Sequence, residues 1–285
     1  MSAAGPAEDA TAVESTEAFG TEAAHQAQWA ANALTDHELE CFRRDGFIRL
    51  PPVPDELINR AADAAHELLA QKAASADGRT KLTGLVGRDV PSGDAFLDLV
   101  DCPTSFPKVV GIMGWNIQLF QSNVDLSPPN PAKIPESLHR LGFHQDNNRM
   151  GQRRKDWRGP DVDVDEPTLG GDLGTPVHTH PVMSVKIIYF LEDCPPGTSS
   201  LYLLPGSHKA LTPEGMEKPT VYDEEPDTSR PLETPIGAIE LVGKKGQAVL
   251  FDRRCFHAAS PNLHALGGPS RLIAFYAYSY RWLRP

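Results

Sequence analysis

The second half of the chain is a succession of short apolar runs cut by turn residues. The runs are 182–191, 200–204, 239–241, 248–251 and 271–278, each rich in Val, Ile, Leu, Phe and Tyr. Pro195-Pro196-Gly197 and Pro205-Gly206 punctuate them, and Gly243-Lys244-Lys245-Gly246 between two runs reads as a hairpin turn. Further upstream, 117–126 alternates apolar and polar residues and predicts a half-buried strand with Gln121, Asn123 and Asp125 on one face. Three polar groups turned inward need a ligand or water to satisfy them; the alternative is that this face meets solvent. Many short strands at regular spacing predict a mainly β fold, a closed sandwich or jelly roll with flanking helices.

The first half supplies the helices. Thr35 and Glu38 form the spacing of a capping box, followed by Leu39 and Phe42. Asp45-Gly46 ends that helix and 47–50 reads as a strand. A second helix is expected over 55–73, where Leu57, Ile58, Ala61, Ala65, Leu68 and Leu69 recur at helical spacing. Residues 75–112 read as mixed and loop-rich. Residues 1–32 lack apolar periodicity and are expected to be a disordered or loosely helical tail. The remainder, 33–285, reads as one domain, in which the Asp-, Arg- and Gly-rich stretch 147–177 is expected to be a long surface loop, a lid or substrate loop.

Charge narrows the function classes. A net charge of −11 and a pI of about 5.3 argue against nucleic acid and anionic membranes as partners, which need basic surface. No apolar run approaches the roughly 20 residues that span a bilayer, and the start of the chain has no secretory signal. A cytoplasmic protein acting on a small molecule, as monomer or homodimer, is expected. The cysteines Cys41, Cys102, Cys194 and Cys255 contain no CxxC pair and read as reduced, mostly buried thiols.

The candidate chemistry centres on Phe143-His144-Gln145-Asp146. On an extended segment, residues two apart project to the same side, so His144 and Asp146 can offer one metal an imidazole nitrogen and a carboxylate oxygen. His257, at the end of a β-prone run, is the best third ligand. Two His and one carboxylate make the facial triad of non-haem Fe(II) oxygenases, which leaves coordination positions open. Arg271 starts the next strand, and its guanidinium can grip a carboxylate with two parallel hydrogen bonds.

Together with Leu204-Pro205-Gly206-Ser207-His208-Lys209 and with Phe251-Asp252, His257, Pro261-Asn262 and Arg271, the His-Gln-Asp segment resembles the phytanoyl-CoA dioxygenase family of Fe(II)/2-oxoglutarate oxygenases. The resemblance spans about residues 35–285. It implies a double-stranded β-helix, iron on His144, Asp146 and His257, Arg271 on the distal carboxylate of 2-oxoglutarate, and O2 as oxidant. It also implies a co-substrate contact at Gln121, with Asn123 a second candidate on the same face. The chain departs from the family pattern at Ala259, where a small hydroxyl residue is common, in a longer interval from His257 to Arg271, and in the length of 147–177. Related halogenases carry a small residue in place of the carboxylate, so Asp146 points to hydroxylation or a related oxidation. Such an activity fits bacterial secondary metabolism, the Ala, Pro and Asp content resembling GC-rich bacterial proteins.

Two other readings stand beside it. A cupin-like metalloenzyme would work without 2-oxoglutarate, and a non-catalytic jelly roll would bind a small ligand without iron. His178 and His180 resemble a cupin metal pair, but Ser184 stands where a cupin needs Glu. His208, after a Pro-Gly turn, reads as structural, and nothing assigns His139 or His264 a role.

Overall fold

The computed structural model describes residues 22–72, 79–84, 94–130, 132, 134–135, 137–146, 184–209, 221–227, 229 and 231–281. Helix α1 (Glu22–Ala31) lies within the stretch expected to be a tail, where Trp29 packs edge-on against Phe106 and stacks on Trp115. The aromatic contacts, absent from any local periodicity, hold it to the fold.

Helix α2 (Asp36–Asp45) begins as expected. The Thr35 hydroxyl accepts from the Glu38 N–H at 3.2 Å, and the Glu38 carboxylate accepts from the Thr35 N–H at 2.9 Å. The helix ends at Gly46, whose φ of 80° is the left-handed conformation that glycine adopts without strain. Strand β1 (Phe47–Leu50) and helix α3 (Asp55–Ala70) follow, with Ile58, Ala61, Ala62, Ala65 and Leu69 on the buried face of α3. The region expected to be loop-rich holds strand β2 (Thr80–Thr83) and helix α4 (Phe106–Met113). Pro at the first turn of α4 is compatible with a helix start but reads as a breaker in sequence.

The remaining strands are β3 (Ile117–Ser127), β4 (His139–Arg140), β5 (Ser184–Phe190), β6 (Leu201–Leu203), β7 (Leu232–Glu233), β8 (Ile239–Leu241), β9 (Ala248–Asp252), β10 (His257–Ala259) and β11 (Arg271–Tyr280). The large sheet has the order β1-β9-β5-β11-β3-β2 and the small sheet β10-β6-β8, while β4 pairs with β7 in parallel. The expected hairpin around Gly243–Gly246 does not form. Instead β8 pairs in the small sheet and β9 in the large one, so the turn carries the chain from one sheet to the other. Crossing strands of this kind make the jelly roll, a double-stranded β-helix.

One core lies between the sheets, with Ile188, Phe190, Val249, Phe251, Ile273 and Phe275 facing Leu203 and Leu241. A second core joins α2, α3 and α4 to the outer face of the large sheet through Val185, Ile187, Tyr189, Leu250, Leu272 and Tyr276. Strands β5, β9 and β11 are thus covered on both faces, which is why they read as near-continuous apolar runs. Among the described residues no helix is long and apolar enough to cross a membrane.

Candidate metal centre

A small cluster of Leu141, Phe143, Phe256 and Ala258 seats the His-Gln-Asp segment on the small sheet. There the backbones of His144 and His257 pair directly, each N–H donating to the other's carbonyl at 3.0 and 2.9 Å. The Asp146 N–H donates to the Arg253 carbonyl at 3.0 Å. These three bonds bring together residues more than a hundred positions apart. His144 Nε2 lies 3.7 Å from Asp146 Oδ1, and His257 Nε2 lies 3.6 Å from Asp146 Oδ2. One ligand atom from each residue falls within 4.8 Å of the others, a spacing that can hold a metal ion.

Both imidazoles are already oriented. His144 Nδ1 donates to the Gly142 carbonyl at 3.1 Å and His257 Nδ1 to the Cys255 carbonyl at 2.8 Å. That places the proton on Nδ1 and leaves Nε2 as a lone-pair donor toward Asp146, the arrangement that a metal-binding His needs. Burial pushes His257 down to about 4 against the attraction of Asp146, so its ring is neutral near pH 7. His144 is the open side of the centre, half-exposed where His257 is buried.

Two cations outside the sequence motifs hold Asp146. Lys186 Nζ donates to Oδ2 at 2.6 Å and Arg253 Nε to the same oxygen at 3.1 Å. Burial alone would raise the Asp146 carboxyl. Lys186, His257 and Arg253 outweigh it and keep the group well below the usual carboxylate range. Oδ1, which takes no hydrogen bond among the described residues, is left for a ligand. Lys186 carried a signal in sequence, being the one charge inside the run 182–191. Arg253 carried none.

The register of the large sheet orders the interior in rows. Gln121, Ala277, Lys186 and Phe251 stand side by side at the level of Asp146; Asn123, Phe275, Ile188 and Val249 form the next row; Asp125, Ile273 and Phe190 the third; Ser127 and Arg271 the last. The polar face of β3 therefore turns inward, not to solvent. Asn123 is 1% exposed, and neither its amide oxygen nor its nitrogen has a partner.

Arg271 is buried in the last row. Nη2 donates to Asp125 Oδ2 at 2.7 Å and to Ser127 Oγ at 3.2 Å, Nη1 donates to the Ser199 carbonyl at 2.7 Å, and Nε has no partner. Arg79 shares Asp125 Oδ2 at 2.6 Å. Asp125 was visible on the strand face, but its pairing with Arg271 spans 146 positions and no sequence pattern shows it. A cavity of about 490 Å³ opens beside this cluster, lined in part by Arg79, Ser127, Ser199, Ala259 and Asn262, and has room for a small dicarboxylate. A separate apolar void lined by Arg271, Phe190 and Cys194 is about 10 Å³, space for one water.

The other candidates fall outside the centre. His208 is buried on the Arg43 carbonyl, and His264 sits between Thr198 and Pro196. His139, on β4, lines the large cavity. His178, His180 and the stretch 147–177 lie outside the described residues. The four cysteines are free and three are buried.

Fold and site define a jelly-roll protein with a two-His, one-carboxylate cluster inside one end of the barrel. The family model for phytanoyl-CoA dioxygenase (PhyH) matches residues 42–265, and the chain belongs to that family. No curated protein sequence matches. Among solved structures, the fold is similar to SnoN, described as a non-heme alpha ketoglutarate dependent epimerase from nogalamycin biosynthesis. The identity is 17%, the TM-score 0.55, with 90% of this chain and 81% of that one covered. It is similar to HygX from Streptomyces hygroscopicus, solved with nickel and 2-oxoglutarate, at 16% identity and TM-score 0.56, covering 87% and 88%. EctD from S. alaskensis, solved with 2-oxoglutarate and 5-hydroxyectoine, matches at 17% identity and TM-score 0.54, covering 86% and 76%.

Proposed function

We propose that the chain is a non-haem Fe(II)/2-oxoglutarate-dependent dioxygenase that hydroxylates an unactivated C–H bond of a small molecule. The observation that carries this reading is the convergence of His144, Asp146 and His257, with both imidazoles anchored through Nδ1 and free at Nε2. These three residues would hold Fe(II). Arg271 would take the distal carboxylate of 2-oxoglutarate, with Asn123 and Gln121 contacting the co-substrate along β3.

The interior fits that group. Asn123 and Arg271 Nε are buried polar groups without partners, which costs about 1–3 kcal/mol each unless a ligand meets them. Iron and 2-oxoglutarate, when bound, supply the oxidising chemistry with O2. The protein's part is geometric: backbone pairing of His144 with His257 sets the ligand spacing, Lys186 and Arg253 keep Asp146 ionised, and Phe251 and Phe275 exclude water beside them. SnoN is described as an epimerase and SnoK as a carbocyclase from the same antibiotic pathway. We place this chain in a comparable role in bacterial secondary metabolism, and the carboxylate at Asp146 supports hydroxylation over halogenation.

Adding Fe(II) and then 2-oxoglutarate under anaerobic conditions tests the reading. A weak visible absorption band that needs both components is expected, and H144A and D146A should lose it along with the iron. Iron uptake without the band would favour the cupin-like reading. A protein that binds no iron would overturn the assignment.

A further inference from the structure

A chain with a net charge of −11 nonetheless gathers cations along the inner face of the large sheet, from the row of Asp146 to that of Arg271. Lys186 Nζ lies 5.1 Å from the Phe275 ring centre and Lys81 Nζ 5.3 Å from the same ring. Arg253, Arg271 and Arg79 complete the group, and the carboxylates they pair with are Asp125 and Asp146. A divalent metal adds two positive charges, and the two carboxylates of 2-oxoglutarate remove only two. Among the described residues these five cations therefore still outnumber the two carboxylates, and buried positive charge is costly unless paired.

Arg253 is where that charge is unmet. Its Nε is committed to Asp146, and its guanidinium lies 4.7 Å from the centre of the Phe120 ring. The ring is aimed there by a β-bulge: Ala277 pairs with Gln121 and Tyr278 with Leu119, so Phe120 is the extra residue in β3. A bulge of this kind turns a side chain out of the regular alternation. The guanidinium is held between this ring and Asp146, yet its two terminal nitrogens have no hydrogen-bond partner among the described residues. Arg253 keeps 13% of its side chain exposed, so those nitrogens are reachable. The edge they present matches the two oxygens of a carboxylate.

We propose that Arg253 recognises a carboxylate on the substrate, with Phe120 orienting the guanidinium and Asp146 anchoring its Nε beside the metal. The substrate class is therefore a small carboxylic acid, whose C–H bond is brought to the metal by the grip on its acid group. This deepens the proposed dioxygenase function and rests on it.

The test uses the full chain with Fe(II) and 2-oxoglutarate under anaerobic conditions. The probes are matched pairs of small aliphatic and aromatic carboxylic acids and their primary amides. Acids are expected to perturb the visible band and amides not to. In R253Q, titrated at Fe(II) and 2-oxoglutarate concentrations that saturate the variant's own band, the affinity for the acids should fall between about 10-fold and 100-fold, the range for losing hydrogen bonds to a charged group. R253K should recover part of the loss, since it restores charge without the fork. Amides acting as well as acids, acids acting equally on R253Q, or a band that no acid perturbs would each overturn the proposal alone. A wild-type chain without iron or band would overturn the metal reading and this proposal with it.

Discussion

Asn123 shows how little a side chain's identity says until its surroundings are known. Alternation along 117–126 put it on a polar face, and either solvent or a ligand could have met that face. In the structure it is buried between the sheets with both amide atoms unpaired. Replacing it by Leu is expected to leave the unfolding free energy of the ligand-free protein within about 1 kcal/mol of wild type or higher, because an unsatisfied amide is removed. The same change should weaken 2-oxoglutarate about tenfold. Urea unfolding and titration of the visible band read the two effects. A loss of several kcal/mol with 2-oxoglutarate affinity intact would mean that the amide serves packing. The candidate ligand pair was legible, since His144 and Asp146 sit two apart on an extended segment. The pairing of Lys186 and Arg253 with Asp146 was not, because it spans 40 and 107 positions, although Lys186 stands out as the lone charge in its run.

Elements were readable where a local rule governs them. The capping box at Thr35, the amphipathic face of α3 and the strands β5, β9 and β11 follow from caps and apolar runs. The Gly243–Gly246 turn departs from the expected hairpin because a turn's residues set its bend, not which sheet the next strand joins. Gly46 is the sharpest local requirement. It closes α2 in a left-handed conformation, and a Cβ there would collide with Cys255 Sγ and His208 Nδ1. Gly46→Ala should therefore destabilise the protein by about 3 kcal/mol, from backbone strain and overpacking together. A chemical denaturation midpoint unchanged from wild type would contradict this. The damage should reach the metal centre, since Cys255 stands two residues from His257 and its backbone carbonyl accepts the hydrogen bond from His257 Nδ1.

Across the molecule, the centre ties stability to pH. His257 titrates near 4 when folded against 6.5 when free, so between those values the unfolded chain binds the extra proton. Stability is complete above about pH 6.5 and falls as pH drops toward 4, by on the order of 3 kcal/mol. Asp146, held below its ordinary value of 3.8, adds a loss in the same direction at still lower pH. Urea unfolding of metal-free protein at pH 7 and pH 4.5 should show this drop, and H257Q should flatten it. An equal slope in the variant would place the dependence elsewhere.

The amino-acid order was enough for the fold class, the caps and the two-residue spacing of His144 and Asp146, and it offered His257 and Arg271 as candidates. These depend on periodicity, turn chemistry and short motifs, all of which act over a few residues. It could not tell that Asp125 holds Arg271, that Lys186 and Arg253 share one oxygen of Asp146, or that Phe120 is bulged toward Arg253. Those contacts arise where strands distant in the chain are laid side by side, and sheet pairing and burial set them.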